Sequence, residues 1–116
     1  MSDILLILNE APYGSERTYN ALRLAVTLAA QPEHRVRLFL MADAVLAAKA
    51  GQKVPAGYYN VETMLGKVLH RGEVALCGTC MDARALRDEE LLDGCRRSTM
   101  VQLGQWTTAA DKVLVF

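Results

Sequence analysis

Four short apolar runs limit what this chain can fold into: "DILLILN" (3–9), "RVRLFLMA" (35–42), "EVALC" (73–77) and "KVLVF" (112–116). Each is bounded by polar or turn residues and is too short for a buried helix. The first is apolar throughout its middle, as a strand buried on both faces requires. Segments with helical spacing separate the runs. A chain that alternates strand and helix in this way builds a parallel sheet with helices on both faces, because parallel neighbours need a crossover between them.

The helical segments carry their own start and stop signals. "EAPYGS" (10–15) contains Pro12 and Gly14 and reads as a loop. Ser15 is placed to cap a helix over about 16–30, whose apolar face is Leu22, Ala25, Val26 and Ala29. Pro32 lies beyond its end. "DAVLAAKA" (43–50) reads as a short helix capped by Asp43, followed by the loop "GQKVPAGYYN" (51–60). Asn60 can cap a helix over 61–71 with Val61, Met64, Leu65 and Val68 inward, closed by Gly72. A short helix is expected from about Cys80. "DEELLDGCRR" continues as helix or turn, with Gly94 as a break, and a last helix over 98–111 takes Ser98 as its cap.

With 116 residues, the chain reads as one domain spanning 1–116, large enough to bury a core without staples. The apolar fraction of 52% fits a folded globule. Lys plus Arg equals Asp plus Glu, at 13 each, so no large basic field points to nucleic acid. Asp3 precedes "ILLIL" and no basic region leads it, which argues against a secretory signal. No run approaches the roughly 20 apolar residues of a membrane helix. A cytoplasmic location is expected, and there thiols are usually reduced. Three cysteines are an odd number, which disfavours a closed disulfide framework.

Ligands of open α/β sheets bind beyond the carboxyl ends of the strands. The loops leaving those ends carry Asn9, Glu10, Pro12, Tyr13 and Gly14 after the first strand, and Asp43 after the second. Cys77, Gly78, Thr79 and Cys80 follow the third. The Cys-x-x-Cys pair is therefore expected at the functional edge, near the Pro-Tyr-Gly loop. A helix start offers unpaired N–H groups and partial positive charge, which favour a thiolate. Gly78 permits close backbone approach, and Arg84, one turn beyond Cys80, can add positive charge. Cys77, at the strand end, reads as the exposed and more reactive thiol. A packed, purely structural pair fits the spacing as well. Zinc does not, since His34 and His70 have no partner spacing and both read as solvated residues near element ends. Cys95 reads as packed, Arg96–Arg97 as a solvated face, and Trp106 as core or interface.

Taken together, "APYGSERTYNALRLA", "FLMADAVLAAK", "YYNVETML" and "LCGTCMDARAL" resemble the DsrE/DsrF-like family, in order and over nearly the whole length. That family includes the TusD-type sulfur-relay proteins and a YchN-like branch. The resemblance implies a three-layer α/β/α sandwich with a mainly parallel sheet, and assembly into trimers or hexamers. It implies persulfide carriage on the cysteine matching Cys77. Cys80 recurs in the YchN-like branch, while the sulfur carriers do not require it. Many relatives have Arg-Gly where this chain has Arg84-Ala85, so the turn after the cysteine helix is a point of departure.

Three functions follow as alternatives. The first is a sulfurtransferase-like relay subunit that carries sulfur on Cys77, with Tyr13, Gly14, Asp43, Gly78, Thr79 and Arg84 in support. It needs donor and acceptor proteins, no metal and no organic cofactor. The second is a Cys77–Cys80 thiol–disulfide redox protein, in which Cys80 is the resolving thiol. The third is a non-catalytic oligomeric or regulatory binding protein.

Overall fold

The computed structural model describes residues 1–116 and contains a five-stranded, all-parallel sheet in the order β4-β3-β2-β1-β5. The strands are β1 (Ser2–Leu8), β2 (His34–Leu40), β3 (Glu73–Cys77), β4 (Cys95–Ser98) and β5 (Lys112–Val115). The helices are α1 (Arg17–Ala29), α2 (Val61–Leu69), α3 (Gly78–Ala83) and α4 (Met100–Ala109). Two 3₁₀ segments, Ala42–Ala48 and Asp88–Glu90, complete the chain. No helix is long and apolar enough to cross a membrane.

The period-two alternation of the strands divides the interior in two. Ile4, Leu6 and Leu8 of β1, Val36, Leu38 and Leu40 of β2, and Val74 and Leu76 of β3 face one side, beneath α1, α2 and α3. Ala21, Leu22, Ala25, Val61, Leu65 and Val68 complete this larger core. Leu5, Phe39 and Ala75 face the other side, where α4 covers them with Leu103 and Trp106. The Trp106 ring meets Phe39 edge-on at 6.1 Å. The guanidiniums of Arg37 and Arg96 lie 5.0 and 5.7 Å from the Trp106 centroid, and both bind the Glu73 carboxylate. Burial pushes the Glu73 carboxyl up, but the Arg37 and Arg96 guanidiniums together outweigh it and hold the carboxyl below its ordinary range. This second face is thinly covered: Met100 (63% exposed), Val101 (71%) and Val115 (66%) lie open.

Several local expectations change. Ser15 does not cap α1: Glu16 holds the N-cap position without a side-chain cap bond, and the Ser15 hydroxyl accepts only from the Arg17 N–H at 3.3 Å. The segment after β2 is 3₁₀ rather than α, and Asp43 sits in its first turn while Met41 holds the N-cap. Thr99, not Ser98, caps α4, accepting from the Gln102 N–H at 3.2 Å. Ser98 instead ends β4 opposite Cys77. Asn60 caps α2 as expected, accepting from Thr63 N–H at 3.1 Å. Trp106 is core. His34 is only half-solvated, with a buried, unpaired Nδ1, whereas His70 is exposed.

The largest difference is β4. "CRRS" has no apolar alternation, and the sequence puts Cys95–Arg97 in a helix or turn and Ser98 at a helix cap, yet the segment pairs along β3 from Val74↔Cys95 to Cys77↔Ser98. β4 is an edge strand with a single neighbour, and its two arginines stay exposed, so it lacks the apolar pattern that marks an inner strand.

α3 ends in a Schellman motif. The Leu86 N–H donates to the Met81 carbonyl (3.0 Å) and the Ala85 N–H to that of Asp82 (3.1 Å), while Met81 and Leu86 are both buried. Ala85 occupies the left-handed position of this motif at φ 52°, where relatives' glycine would sit without strain. The turn is thus kept despite the missing glycine. Ala85→Gly should stabilise the protein by about 1 kcal/mol, since the relief of an L-residue's left-handed penalty exceeds the added chain entropy. A urea titration checks this; a loss of stability would mean the turn is held otherwise.

Candidate functional site

β3 passes into α3 without an intervening loop. Cys77 is both the last strand residue and the N-cap of the helix, so the helix starts at Gly78 rather than near Cys80. The Cys77 Sγ accepts from the Cys80 N–H at 3.3 Å. Gly78 keeps this junction uncrowded. A Cβ there would lie 3.1 Å from Arg97 Cγ, Arg97 Nη1 and the Ser98 carbonyl oxygen.

The two cysteines face different surroundings. Cys77 follows Ala75 in the strand alternation and packs against the smaller, α4-side core. Cys80 packs against the larger core. Its Sγ accepts from the Ala42 N–H at 3.2 Å, across the β2 crossover. Ala42 has φ 50°, a left-handed conformation that costs an alanine roughly 1–2 kcal/mol. Both thiols are free and half-buried, as is Cys95.

Arg84 does not direct free positive charge at a thiolate, contrary to expectation. Its Nε donates to Asp43 Oδ1 at 2.9 Å and its Nη1 to the Cys80 carbonyl at 3.1 Å, so Asp43 neutralises it. Arg97, expected on a solvated face, instead reaches the site. Its Nη1 donates to the Gly78 carbonyl and to Asp82 Oδ1, both at 3.0 Å, and its Nε to Asp88 Oδ1 at 2.9 Å. Between α3 and the start of α4 lies an open groove of about 480 Å³, lined by Cys77, Thr79, Cys80, Arg97, Thr99 and Met100, among others. Thr79 is exposed on its rim.

Tyr13 and Gly14 are not part of this group. The Tyr13 hydroxyl donates to Gln52 and accepts from the Val61 N–H, and its ring lies against Tyr58 and Tyr59. Tyr13 therefore ties the first loop to the 51–60 loop. Gly14 only tightens its own loop, where a Cβ would meet Ala11 Cβ at 3.2 Å.

The electrostatics of Cys77 also differ from expectation. Burial, reinforced by the adjoining Cys80 thiol, raises its pKa above the ordinary thiol value and outweighs the helix-start N–H groups of Cys80 and Thr79. Cys95 is pushed up to about 12 by burial alone, which suits a packed thiol. No three His, Cys, Asp or Glu side chains gather where they could hold a metal ion.

Sequence reasoning missed Ala42 and Arg97. A left-handed alanine leaves no sequence signal, and Arg97 required β4 to be recognised.

The geometry has close counterparts. The YchN protein of Escherichia coli K12 is 47% identical over 118 aligned positions that cover all of both chains. The uncharacterized protein MK0008 of Methanopyrus kandleri is 39% identical, over 97% of this chain and 93% of its own. The crystal structure of E. coli YchN matches with a TM-score of 0.94 across the full length of both chains. A protein of unknown function from Methanobacterium thermoautotrophicum, MTH1491, shares the fold at a TM-score of 0.77 with 11% identity. The model of the DsrE/DsrF-like family matches residues 2–116, and the chain belongs to that family.

Proposed function

We propose that this protein is a sulfur carrier that accepts persulfide sulfur on Cys77 and passes it to a protein acceptor. The family points to a sulfur-relay or redox-related role. The observation that carries the carrier reading is the placement of Cys77. It caps a helix at the carboxyl edge of the sheet and lines a groove open to a partner. In loading, the Cys77 thiolate attacks the outer sulfur of a donor persulfide. The donor's S–S bond breaks, the donor leaves as a thiolate, and Cys77 holds the sulfane sulfur. The step needs one nucleophile, no metal and no organic cofactor. Donor and acceptor proteins would meet it at the groove, in the cytoplasm.

A second reading is favoured by one observation: Cys77 and Cys80 share a single helical turn, as a dithiol–disulfide couple requires. It is distinguished by what accumulates. Exposure to a persulfide donor should add about 32 Da, one sulfur atom, to the wild type, nothing to Cys77→Ser, and a longer-lived increment to Cys80→Ser, read by intact mass. A wild type that only cycles between dithiol and disulfide supports the redox reading. Thiols that resist both loading and alkylation until unfolding support a non-catalytic binding protein.

Because burial holds Cys77 above the ordinary thiol range, its thiolate fraction at neutrality is small. The loading rate should rise roughly tenfold per pH unit through neutrality, as the thiolate fraction does below a thiol's pKa. A rate flat between about pH 6 and pH 8 contradicts this assignment of the reacting group.

The same proposal includes self-assembly into a homotrimer or homohexamer. The thinly covered face, with Met100, Val101 and Val115 exposed, supports it. Light scattering at micromolar concentration should give a multiple of 12.8 kDa, and a monomer would sink it.

A further inference from the structure

Ala42, Asp43, Cys80 and Arg84 form a closed circuit of hydrogen bonds. The Ala42 N–H donates to Cys80 Sγ, the Cys80 carbonyl accepts from Arg84, and Arg84 donates to Asp43, the residue after Ala42. The circuit joins the β2 crossover to α3 at two points, and one of them is a sulfur atom. The residue that supplies this N–H, Ala42, sits in the left-handed region at φ 50°. An ordinary helix end needs none of this, because the Schellman motif already serves the carbonyls of Met81 and Asp82. Cys80 lines the same groove as Cys77, but packs toward the larger core where Cys77 packs toward the α4 side.

We propose that Asp43 and Arg84 are positioning residues which, through the Ala42 N–H, hold the Cys80 sulfur ready to discharge a persulfide on Cys77. The inference deepens the carrier reading and rests on it. In the discharge step the Cys80 thiolate attacks the Cys77 Sγ. The Cys77–Cys80 bond forms, the bond from Cys77 Sγ to its outer sulfur breaks, and the outer sulfur leaves as hydrosulfide. The two cysteine sulfurs are oxidised together while the sulfane sulfur is reduced, so no outside oxidant is needed. A cellular dithiol then reduces the disulfide. An N–H donor favours a thiolate over a disulfide sulfur, which is a poorer acceptor. The circuit therefore biases the pair toward the dithiol and keeps Cys80 available.

The test is the Cys77–Cys80 redox equilibrium in a glutathione buffer, read by thiol trapping and peptide mass, beside sulfide release from loaded protein. Arg84→Met and Asp43→Asn should each shift the equilibrium about tenfold toward the disulfide, which is about 30 mV for a two-electron couple. They should slow sulfide release from loaded protein about tenfold, because the Cys80 sulfur is no longer held in place by the circuit. Arg84→Lys should recover part of both effects, since it keeps the charge but not the two-pronged geometry. Ala42→Gly keeps the N–H but frees the backbone, and should move both readouts in the same direction by less. Unchanged equilibrium and release in Arg84→Met would overturn the proposal, as would a pair that never forms a disulfide. Wild-type protein that gains no sulfur removes the carrier reading separately; the redox equilibrium still decides the role of the circuit.

Discussion

The site depends on the direct passage from β3 into α3 at Gly78. With no loop between them, the last side chain of the strand has to act as the first cap of the helix. That side chain is a cysteine. Position 78 lacks a Cβ, which keeps this passage uncrowded. A Cβ there would lie 3.1 Å from Arg97 and the Ser98 carbonyl of β4, so a larger residue would force those neighbours to give way. The same contact explains the position of Arg97. Its guanidinium reaches over the glycine to the Gly78 carbonyl and to Asp82, tying the edge strand to the cysteine helix. The groove beside Cys77 is the space this tie leaves between α3 and the start of α4.

Two opposing influences act on the Cys77 sulfur. Helix-start N–H groups favour its anion, and burial on the α4 side disfavours it, and burial wins. The resting group is therefore held toward the thiol form, while it is the thiolate that reacts. Such a group suits a protein that should react with a docked partner rather than with passing small molecules. Cys80 stands in a different setting, fixed from behind by a backbone N–H that a strained alanine supplies. One turn of helix thus brings two thiols to one groove, Cys77 packed toward the α4 side and Cys80 toward the larger core, and the two are not interchangeable.

The sheet was legible in the sequence wherever a strand is buried on both faces. β1 and β3 stand out as apolar runs and β2 as an alternation that turns apolar, while the exposed edge strand β5 was legible from its apolar composition alone. β4 was hidden because an edge strand with two outward arginines obeys no alternation. With it went the role of Arg97 and the true cap of α4. The cysteines were placed correctly at the strand end by topology alone. Their electrostatics were not, because the helix start can be read from spacing while the burial that overrides it depends on α4 packing across the sheet. Tyr13 shows the limit of proximity arguments. Its loop leaves the same sheet edge as the cysteines, yet its hydroxyl is committed to Gln52 of the 51–60 loop and to the Val61 N–H at the start of α2. The Ala42 contact has no sequence signature at all.

The central claim is that the sulfane sulfur resides on Cys77 and not elsewhere. A crystal structure of the Cys80→Ser protein after treatment with a persulfide donor tests it most directly. The expected result is one additional sulfur atom bonded to Cys77 Sγ, lying in the groove beside Thr99 and Met100. An added sulfur on Cys95, or no added atom beside a Cys77 that alkylating reagents can reach, would contradict the account.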